Sequence, residues 1–596
     1  MSTVLKRLEK YPALAVGLSI AWVLFISWIA FGWQLGSVGL VDETEPLFAE
    51  AARQMVETGD WVTPYFNGDP RFDKPPLVYW LMAIGFHLLG VNEWAVRLPS
   101  VLAATAMTGL GFYTLRRYGF PQPHLAETVS EAEGNSTLLS RRSTQALWLS
   151  AWIGAAVMAL NPETLVWARI GVSDMLLTGC MAGSLLAFFL GYAQPDNPSV
   201  QARWYFAFYA LMALAVLAKG PVGLVLPVLI VGAFLLYIGK LREVAPELRL
   251  LPGTLLFAAL TVPWYVLVIL ANGRAYIDSF FGYHNIERFT QVVNGHAAPW
   301  FFYFLVVFIG FLPWSPFLPL AIARWQFWRP GYWRQQLRSS HLGLFALIWF
   351  AVVFIFFTTA VTKLPSYVLP LMPAAALLVG VFWSDLMSQT SVSKKVRWGF
   401  WVSFSCNVRL LLLLSSVVLY SPNWLGNDPA MPDLPQLVQQ SGIVVYAAII
   451  WEVAAIASLG LVALRRTHWL WSINLISFIA FLMLTIMPTY QMADTARQLP
   501  LRQIAQTVVA EQTSGEDLIM TGFMKPSLVF YTQRPVIYLD SAEAVKNHLK
   551  LIAETGAANS LLLVGQPHEI DAIDLDAQHS KILFSQGAYQ LLRITW

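Results

Sequence analysis

The residues best equipped for chemistry lie between Val41 and Glu93. There the chain reads V-D-E-T-E-P-L-F-A-E, then T-G-D-W-V-T-P-Y-F-N-G, then R-F-D-K-P-P-L-V-Y-W. Asp42, Glu43 and Glu45 directly follow an apolar run. Acids in a first helical turn complement the helix dipole, and Pro46 suits such a position, which accounts for Glu43 and Glu45. Asp42 stands nearest the apolar run, where a carboxylate must pair or act, and is the first candidate for a catalytic acid. In Arg71-Phe72-Asp73-Lys74-Pro75-Pro76, two prolines stiffen the backbone immediately after a lysine. A salt bridge or a snorkelling lysine would not need that rigidity. An ammonium held ready for a phosphate would. Asp73 and Lys74 are therefore catalytic candidates, with Glu43, Tyr65 and Arg71 as candidate substrate ligands.

Four further stretches add polar groups at the ends of apolar runs. Trp167 to Asp174 contributes Arg169 and Asp174. Lys219-Gly220-Pro221 and Lys363-Leu364-Pro365-Ser366-Tyr367 each place a lysine just before a proline, a repeated pattern that snorkelling alone does not explain. Lys219, Lys363 and Tyr367 are read as substrate ligands. The loop from Asn272 to Pro299 offers Asp278, His284, Asn285, Glu287, Arg288 and His296. Arg288 is a further substrate ligand. The histidines lack tight metal-ligand spacing, so the cofactor expectation is a divalent metal at His284 and Asp73, or none. Glu452 is the acid deepest within an apolar run, late in the chain.

These groups must be positioned by membrane helices. The chain has 596 residues, 57% hydrophobic and 12% charged, about half the charge of an ordinary soluble domain. About thirteen spans emerge with a window of roughly 19 residues, at 12–32, 97–115, 145–161, 175–193, 203–218, 220–239, 252–271, 300–323, 342–361, 364–384, 398–420, 443–463 and 469–488. Lys6, Arg7 and Lys10 place the N-terminus inside by the positive-inside rule. Alternating from there, nearly every later basic cluster also falls inside, provided that Pro75 to Val91 lies along the outer interface without crossing. The candidate residues then collect outside. The first run lacks a cleavage site and is read as an uncleaved span. Cys180 and Cys406 sit in apolar runs, which argues against disulfides or thiolate metal sites. A net charge of +3 without a basic, aromatic-interleaved surface excludes nucleic acid as a partner. Pro121 to Thr144 reads as a polar, mobile loop.

The fold class expected is an all-α polytopic membrane bundle, residues 1–490 with a first outer loop at 33–96, followed by a small extracytoplasmic α/β domain at 491–596. In the latter, helical patterns cover Leu501 to Glu511 and Ala542 to Ala553. Short runs at Asp517–Thr521, Leu528–Tyr531, Val536–Asp540, Ser560–Val564 and Lys581–Phe584 have strand character. It holds no phosphate-binding glycine motif.

A basic and acidic cavity at the outer end of a bundle suits a phosphate-bearing lipid whose tail stays in the bilayer. Lysine and arginine would stabilise a phosphate leaving group, and a carboxylate would deprotonate or orient an acceptor hydroxyl. The motifs F-A-E-A-A-R-Q-M, T-G-D-W-V-T-P-Y-F-N-G, F-D-K-P-P-L-V-Y-W-L, G-V-N-E-W-A-V-R-L-P-S, A-K-G-P and K-L-P-S-Y-V-L-P-L-M-P-A resemble the bacterial dolichyl-phosphate-mannose-protein mannosyltransferase-like superfamily of family 39 type. They are most similar to the 4-amino-4-deoxy-L-arabinose lipid A transferases. The resemblance covers about residues 1–385. It implies a C-type glycosyltransferase fold in the bacterial plasma membrane and inverting transfer from a polyprenyl-phosphate sugar to a lipid, protein or glycan acceptor. It also implies Asp42 as the first-loop acid, Asp73 and Lys74 as an acid–lysine pair, and His284 as a metal-contacting histidine. Glu45-Pro46 looks like a two-residue insertion, so the acid aligns as Asp42, Glu43 or Glu45. The chain has Leu47-Phe48 where the family pattern usually has Arg-Tyr, and Asp73 where the aminoarabinose enzymes tend to have Glu. A transporter of lipid-linked sugars, or a non-catalytic assembly protein, is the alternative. A transporter would place its polar groups near the midplane on broken, paired helices.

Overall fold

The computed structural model describes residues 11–120, 137–292, 295, 297–388, 394–424, 426, 431, 434–555, 559–575 and 578–595. Each of the expected spans falls on helix. Among the described residues ten helices are long and apolar enough to cross a membrane, and counting each of two bent helix pairs as one span raises the number to 12. The expected span at 220–239 is the shorter apolar helix Val222–Ile238. One bent pair, Thr144–Ala159 with Pro162–Ala168, turns by 61° where Pro162 cannot continue the hydrogen-bond ladder. Asn161 bridges the break: its Nδ2 donates to Val157 O at 2.9 Å, and its Oδ1 accepts from Thr164 N at 2.9 Å. Residues 121–136 of the expected polar loop lie outside the described residues, and from Thr137 onward that stretch is helix, not loop.

The run after Pro75-Pro76 forms the helix Leu77–Leu89, 13 residues long. At 1.5 Å per residue it reaches about 20 Å, too short for a hydrocarbon core of about 30 Å. Ile84, Leu88 and Leu89 are exposed on it, as on a helix lying in an interface.

The first loop is held by one buried ion pair. Arg97 Nε and Nη2 each reach a Glu45 oxygen at 2.9 Å. The same guanidinium donates to Leu35 O at 2.7 Å, Val38 O at 3.0 Å and Gly39 O at 2.7 Å. Glu45 also accepts from Val41 N at 2.9 Å and Gly171 N at 2.7 Å. Every polar atom of the pair is engaged, so Glu45 is a fold-holding acid and leaves the set of catalytic candidates. The helix it opens, Thr44–Thr58, ends at Gly59, whose φ of +73° closes the last turn in a left-handed conformation that favours glycine. A short hairpin, β1 (Tyr65–Phe66) with β2 (Asp69–Pro70), then leads to the Asp73-Lys74 turn.

The helix Met487–Glu511 runs unbroken from the last apolar span into the C-terminal region, so the boundary expected at 490–491 falls inside one helix. Beyond it lie β3 (Leu518–Thr521), β4 (Ile537–Leu539), β5 (Ser560–Gly565), β6 (Ser580–Gln586) and β7 (Tyr589–Thr595). The sheet order is β4-β3-β5-β7-β6, with β3 parallel to β4 and β5, and β7 antiparallel to β5 and β6. Two apolar layers cover its faces, one with Ile504, Val508 and Leu528, the other with Val545, Ile552 and Ile570. The expected strand Leu528–Tyr531 is instead the middle of the helix Pro526–Thr532. A four-residue apolar run carries no periodicity to separate the two forms, and Pro526 at the first helical position decides it. The strand β7 was not anticipated from the sequence.

The C-terminal region docks on the first loop through a polar seam. Asp42 accepts from Ser527 N at 3.0 Å and from Ser527 Oγ at 2.5 Å, tying down the first turn of the helix Pro526–Thr532. Gln498, in its hydrogen-bonding orientation, donates to the same carboxylate at 3.1 Å. Asn67 exchanges two hydrogen bonds with the Val536 backbone, at 2.8 and 2.9 Å. Tyr531 donates to Glu93 at 2.8 Å and accepts from Leu40 N at 2.9 Å. Burial pushes the Asp42 carboxyl up to about 6, against the Ser527 hydrogen bonds and Lys525, with Glu43 adding to the rise. The folded state therefore takes up a proton at higher pH than the ordinary carboxyl value of 3.8, and the seam strengthens as pH falls through about 6. Lys525, Glu43 and Tyr538 face the same group. Amide exchange across 526–532, corrected for intrinsic rates, should slow between pH 7 and pH 5 in the native chain, and Asp42→Asn should flatten that dependence.

Candidate active site

At one end of the bundle a cavity of about 540 Å³ gathers most of the groups singled out in the sequence. Three separate elements bring cations to it: Lys74 from the first loop, Lys219 from the end of the helix Pro198–Lys219, and Arg288 from the segment after the helix Leu250–Tyr276. Asp73, His284, Ser366 and Tyr367 share the wall. Apart from Asn285 and Thr290 the remainder is apolar, with Leu177, Val225, Phe280, Phe281, Phe356 and Phe357 among its lining.

Each carboxylate near the cavity is already paired. Asp73 accepts from Arg71 Nη2 at 2.6 Å and from the Tyr79 hydroxyl at 3.1 Å. The Lys74 ammonium lies 3.5 Å from the same carboxylate and donates to the Asp73 carbonyl at 2.9 Å. Burial opposes the charge, yet Arg71 and Lys74 hold the Asp73 carboxyl below the usual range, so it stays ionised and is a poor base. Asp174, with a hydrogen bond to Ser366, accepts from Lys219 Nζ at 2.5 Å, and Lys219 lies 5.7 Å from the Tyr367 ring centroid.

The balance of the site is positive. Among the described residues, the ion pairs of Lys74, Lys219 and Arg71 are with Asp73 and Asp174, and Arg288 adds a further cation to the wall. Burial, together with Lys219, Arg288 and Arg71, lowers the pKa of Lys74 against the pull of Asp73. Arg288 Nε and His284 Nδ1 are buried without a hydrogen-bond partner. Crowded cations and unmet donors are what an anion would relieve.

The other expected ligands stand elsewhere. Asp42 and Glu43 belong to the seam and do not line the cavity; Glu43 is 66% exposed and lies 3.5 Å from Lys525. Arg169 is a correction: its guanidinium donates to Ala30 O at 3.2 Å, Phe31 O at 3.3 Å and Trp33 O at 2.7 Å. It caps the carbonyl end of the first span, satisfying groups that membrane depth would otherwise leave orphaned. Lys363 does the same for Thr358 O, at 3.1 Å, and Ala360 O. Tyr65 is half-buried in β1 and does not line the cavity. Tyr79, Asn285 and Ser366 were not assigned a site role from the sequence. Asn285, in the polar loop, and Ser366, inside the Lys-Leu-Pro-Ser-Tyr pattern, carried a signal; Tyr79 carried none.

The donor set does not fit a divalent metal. Among the described residues no three His, Cys, Asp or Glu side chains converge. Asp73 and His284 supply two donors, Asp73 is already occupied by Arg71 and Tyr79, and Lys74 and Arg288 would repel a dication. Asp278 pairs with Arg274 at 3.4 Å on the exposed surface, and His296 lies outside the described residues.

Residues 73–124, which carry the Asp73-Lys74 turn, match the family model described as dolichyl-phosphate-mannose-protein mannosyltransferase, and residues 511–596 match the C-terminal domain of cyanobacterial RgtA-type glycosyltransferases. The chain is thus similar to family 39-type 4-amino-4-deoxy-L-arabinose transferases. It is 29% identical over 346 residues to the undecaprenyl phosphate-alpha-4-amino-4-deoxy-L-arabinose arabinosyl transferase of Shewanella sediminis, covering 58% of this chain and 56% of that one. With the like-named protein of Edwardsiella ictaluri it shares 28% identity over 463 residues, covering 77% and 74%. The chain spans less than two thirds of the first curated transferases that it matches, 56% and 58% for those of Shewanella sediminis and Pseudomonas fluorescens. Its fold is that of the crystal structure of ArnT from Cupriavidus metallidurans bound to undecaprenyl phosphate, with a TM-score of 0.72, 21% identity and 98% of each chain covered.

Proposed function

We infer that this transferase-like chain is a membrane glycosyltransferase that moves a sugar from a polyprenyl-phosphate donor to a lipid or glycan acceptor. The carrying observation is the convergence of Lys74, Lys219 and Arg288, from three elements, on one cavity whose remaining wall is mostly apolar. The donor phosphate sits among the cations and the first isoprene units lie against the aromatic and aliphatic wall. The acceptor oxygen attacks the anomeric carbon from the face opposite the phosphate. The bond from that carbon to the phosphate oxygen breaks, the polyprenyl phosphate leaves with the electron pair, and the proton of the acceptor hydroxyl passes to the released phosphate. Its added charge meets cations already fixed in a dry site, where they act more strongly than in water. Asp73 and Asp174 hold the lysines in place. The relatives' names, and the undecaprenyl phosphate bound to the Cupriavidus protein, support the choice of carrier.

The site's residues sit at the helix ends opposite the basic clusters around Lys240 and Arg338. By the positive-inside rule the cavity, the first loop and the C-terminal domain then lie outside, and the N-terminus lies in the cytoplasm. Equilibrium binding tests the reading. The purified protein should bind undecaprenyl phosphate and ignore undecaprenol, which has the tail without the phosphate; equal binding of both would overturn it.

A further inference from the structure

The Arg71-to-Lys74 turn is gripped from two sides by aromatic rings that the reaction itself does not use. On one side Tyr79 is fully buried and stacks on Phe48 of the helix Thr44–Thr58, with centroids 5.6 Å apart. The Arg71 guanidinium lies 5.3 Å from the same Phe48 ring. On the other side Phe72 packs edge-on to Tyr276 at 5.5 Å, and Tyr276 stacks at 5.4 Å on Phe280, which lines the cavity. Within this grip the Tyr79 hydroxyl donates to Asp73 Oδ1 while Arg71 serves Oδ2. Lys74 is therefore left only a long 3.5 Å approach to the carboxylate.

We propose that Tyr79 is a positioning residue of the phosphate site: its hydroxyl holds the Asp73 carboxylate back against Arg71, so that the Lys74 ammonium, anchored on the Asp73 carbonyl, is not drawn onto that carboxylate and keeps donors for the cavity. Without that hydroxyl, Oδ1 is a buried anionic acceptor lacking a donor, and the nearest mobile donor is Lys74. The lysine then turns from the donor phosphate towards Asp73. Because Phe48 follows directly from the loop held by Glu45 and Arg97, the stack also ties the phosphate site to the first-loop scaffold. This rests on the reading of the cavity as the donor-phosphate site.

Tyr79→Phe keeps the ring and its stack and removes only the hydroxyl. With the full-length protein in detergent and a polyprenyl-phosphate sugar as substrate, KM should rise roughly tenfold, the scale of one hydrogen bond to a charged group, with kcat held within about twofold. Inhibition by undecaprenyl phosphate should weaken by the same factor. A merely structural role would lower kcat through a loss of active protein and leave KM in place, and that result, or no change at all, overturns the proposal. Phe48→Leu keeps the hydroxyl but removes its support. It should raise KM in the same direction by less, and an unchanged KM counts against the proposal even where Tyr79→Phe fails to accumulate. Lys74→Ala separates the two levels of inference: full transfer in that variant sinks the phosphate-site reading, whereas its inactivity beside an unaltered Tyr79→Phe sinks only the role of Tyr79.

Discussion

Lys74→Ala should cut sugar transfer by about a hundredfold to a thousandfold, the range seen when one preorganised donor to a developing oxyanion is removed. The ammonium is 13% exposed and stands with Lys219 and Arg288 around a cavity that holds no free anion of its own. Alanine removes the charge and also leaves Asp73 with Arg71 as its sole cationic partner, so the net positive charge that draws the phosphate falls. Lys74→Arg is the informative companion. Its fork can pair with Asp73 bidentately and would be captured there, so it should restore little. Radiolabelled transfer in membranes, normalised to protein amount, measures both. Transfer near the native level in Lys74→Ala would remove the basis of the functional reading.

Arg97→Ala should instead remove the protein. The side chain is 1% exposed and makes five hydrogen bonds, two of them to Glu45 and three to the carbonyls of Leu35, Val38 and Gly39. Breaking a buried pair from one side strands the other charge, at a cost of about 3–5 kcal/mol, and here three carbonyls lose their donor as well. A typical domain has only about 5–15 kcal/mol in hand. The expected result is a sharp fall in folded protein, read by size-exclusion profile and thermal unfolding in detergent. Glu45→Gln should fall between the native chain and Arg97→Ala, because the amide still accepts one hydrogen bond while the arginine's charge goes unanswered. If Arg97→Ala unfolded at the native temperature, the ion pair would not be what organises the first loop.

The bundle was legible because the bilayer demands apolar runs of fixed length, and the run after Pro75-Pro76 could be set apart because only a non-crossing reading keeps the basic clusters on one side. The lining of the cavity was legible in part. Lys74 and Lys219 were found from a lysine placed against proline at a helix end, but the same pattern picked out Lys363, which folds back onto its own carbonyls. Spacing reports that a cation sits at a helix end; it does not report which way the side chain turns. Arg169 was misread for the same reason. Asp42 was favoured for standing closest to the first span, yet its partner is Ser527, 485 residues away, a distance at which local pattern carries no signal. Glu45 shows the converse. It looked like a helix-dipole acid, and its arginine lay in plain view in W-A-V-R-L-P-S, but only the fold brings them together. Tyr79 looked like one more aromatic on an apolar face, and its hydroxyl gained meaning only beside Asp73.

The seam between the first loop and the C-terminal region sets a timetable for biosynthesis. Gly39, Leu40 and Asp42 leave the ribosome early, but their partners Asp494, Tyr531 and Ser527 follow 455, 491 and 485 residues later. At roughly 5–20 residues per second, the loop waits on the order of half a minute or more before it can be closed. Until then its backbone donors and buried acid must be shielded by water, lipid or a chaperone. A nascent chain stalled after its last span would hold every cation of the cavity and still lack the clasp on its first loop. Emergence of the stretch from Asp494 to Tyr531 is thus the earliest moment at which the first loop can be closed.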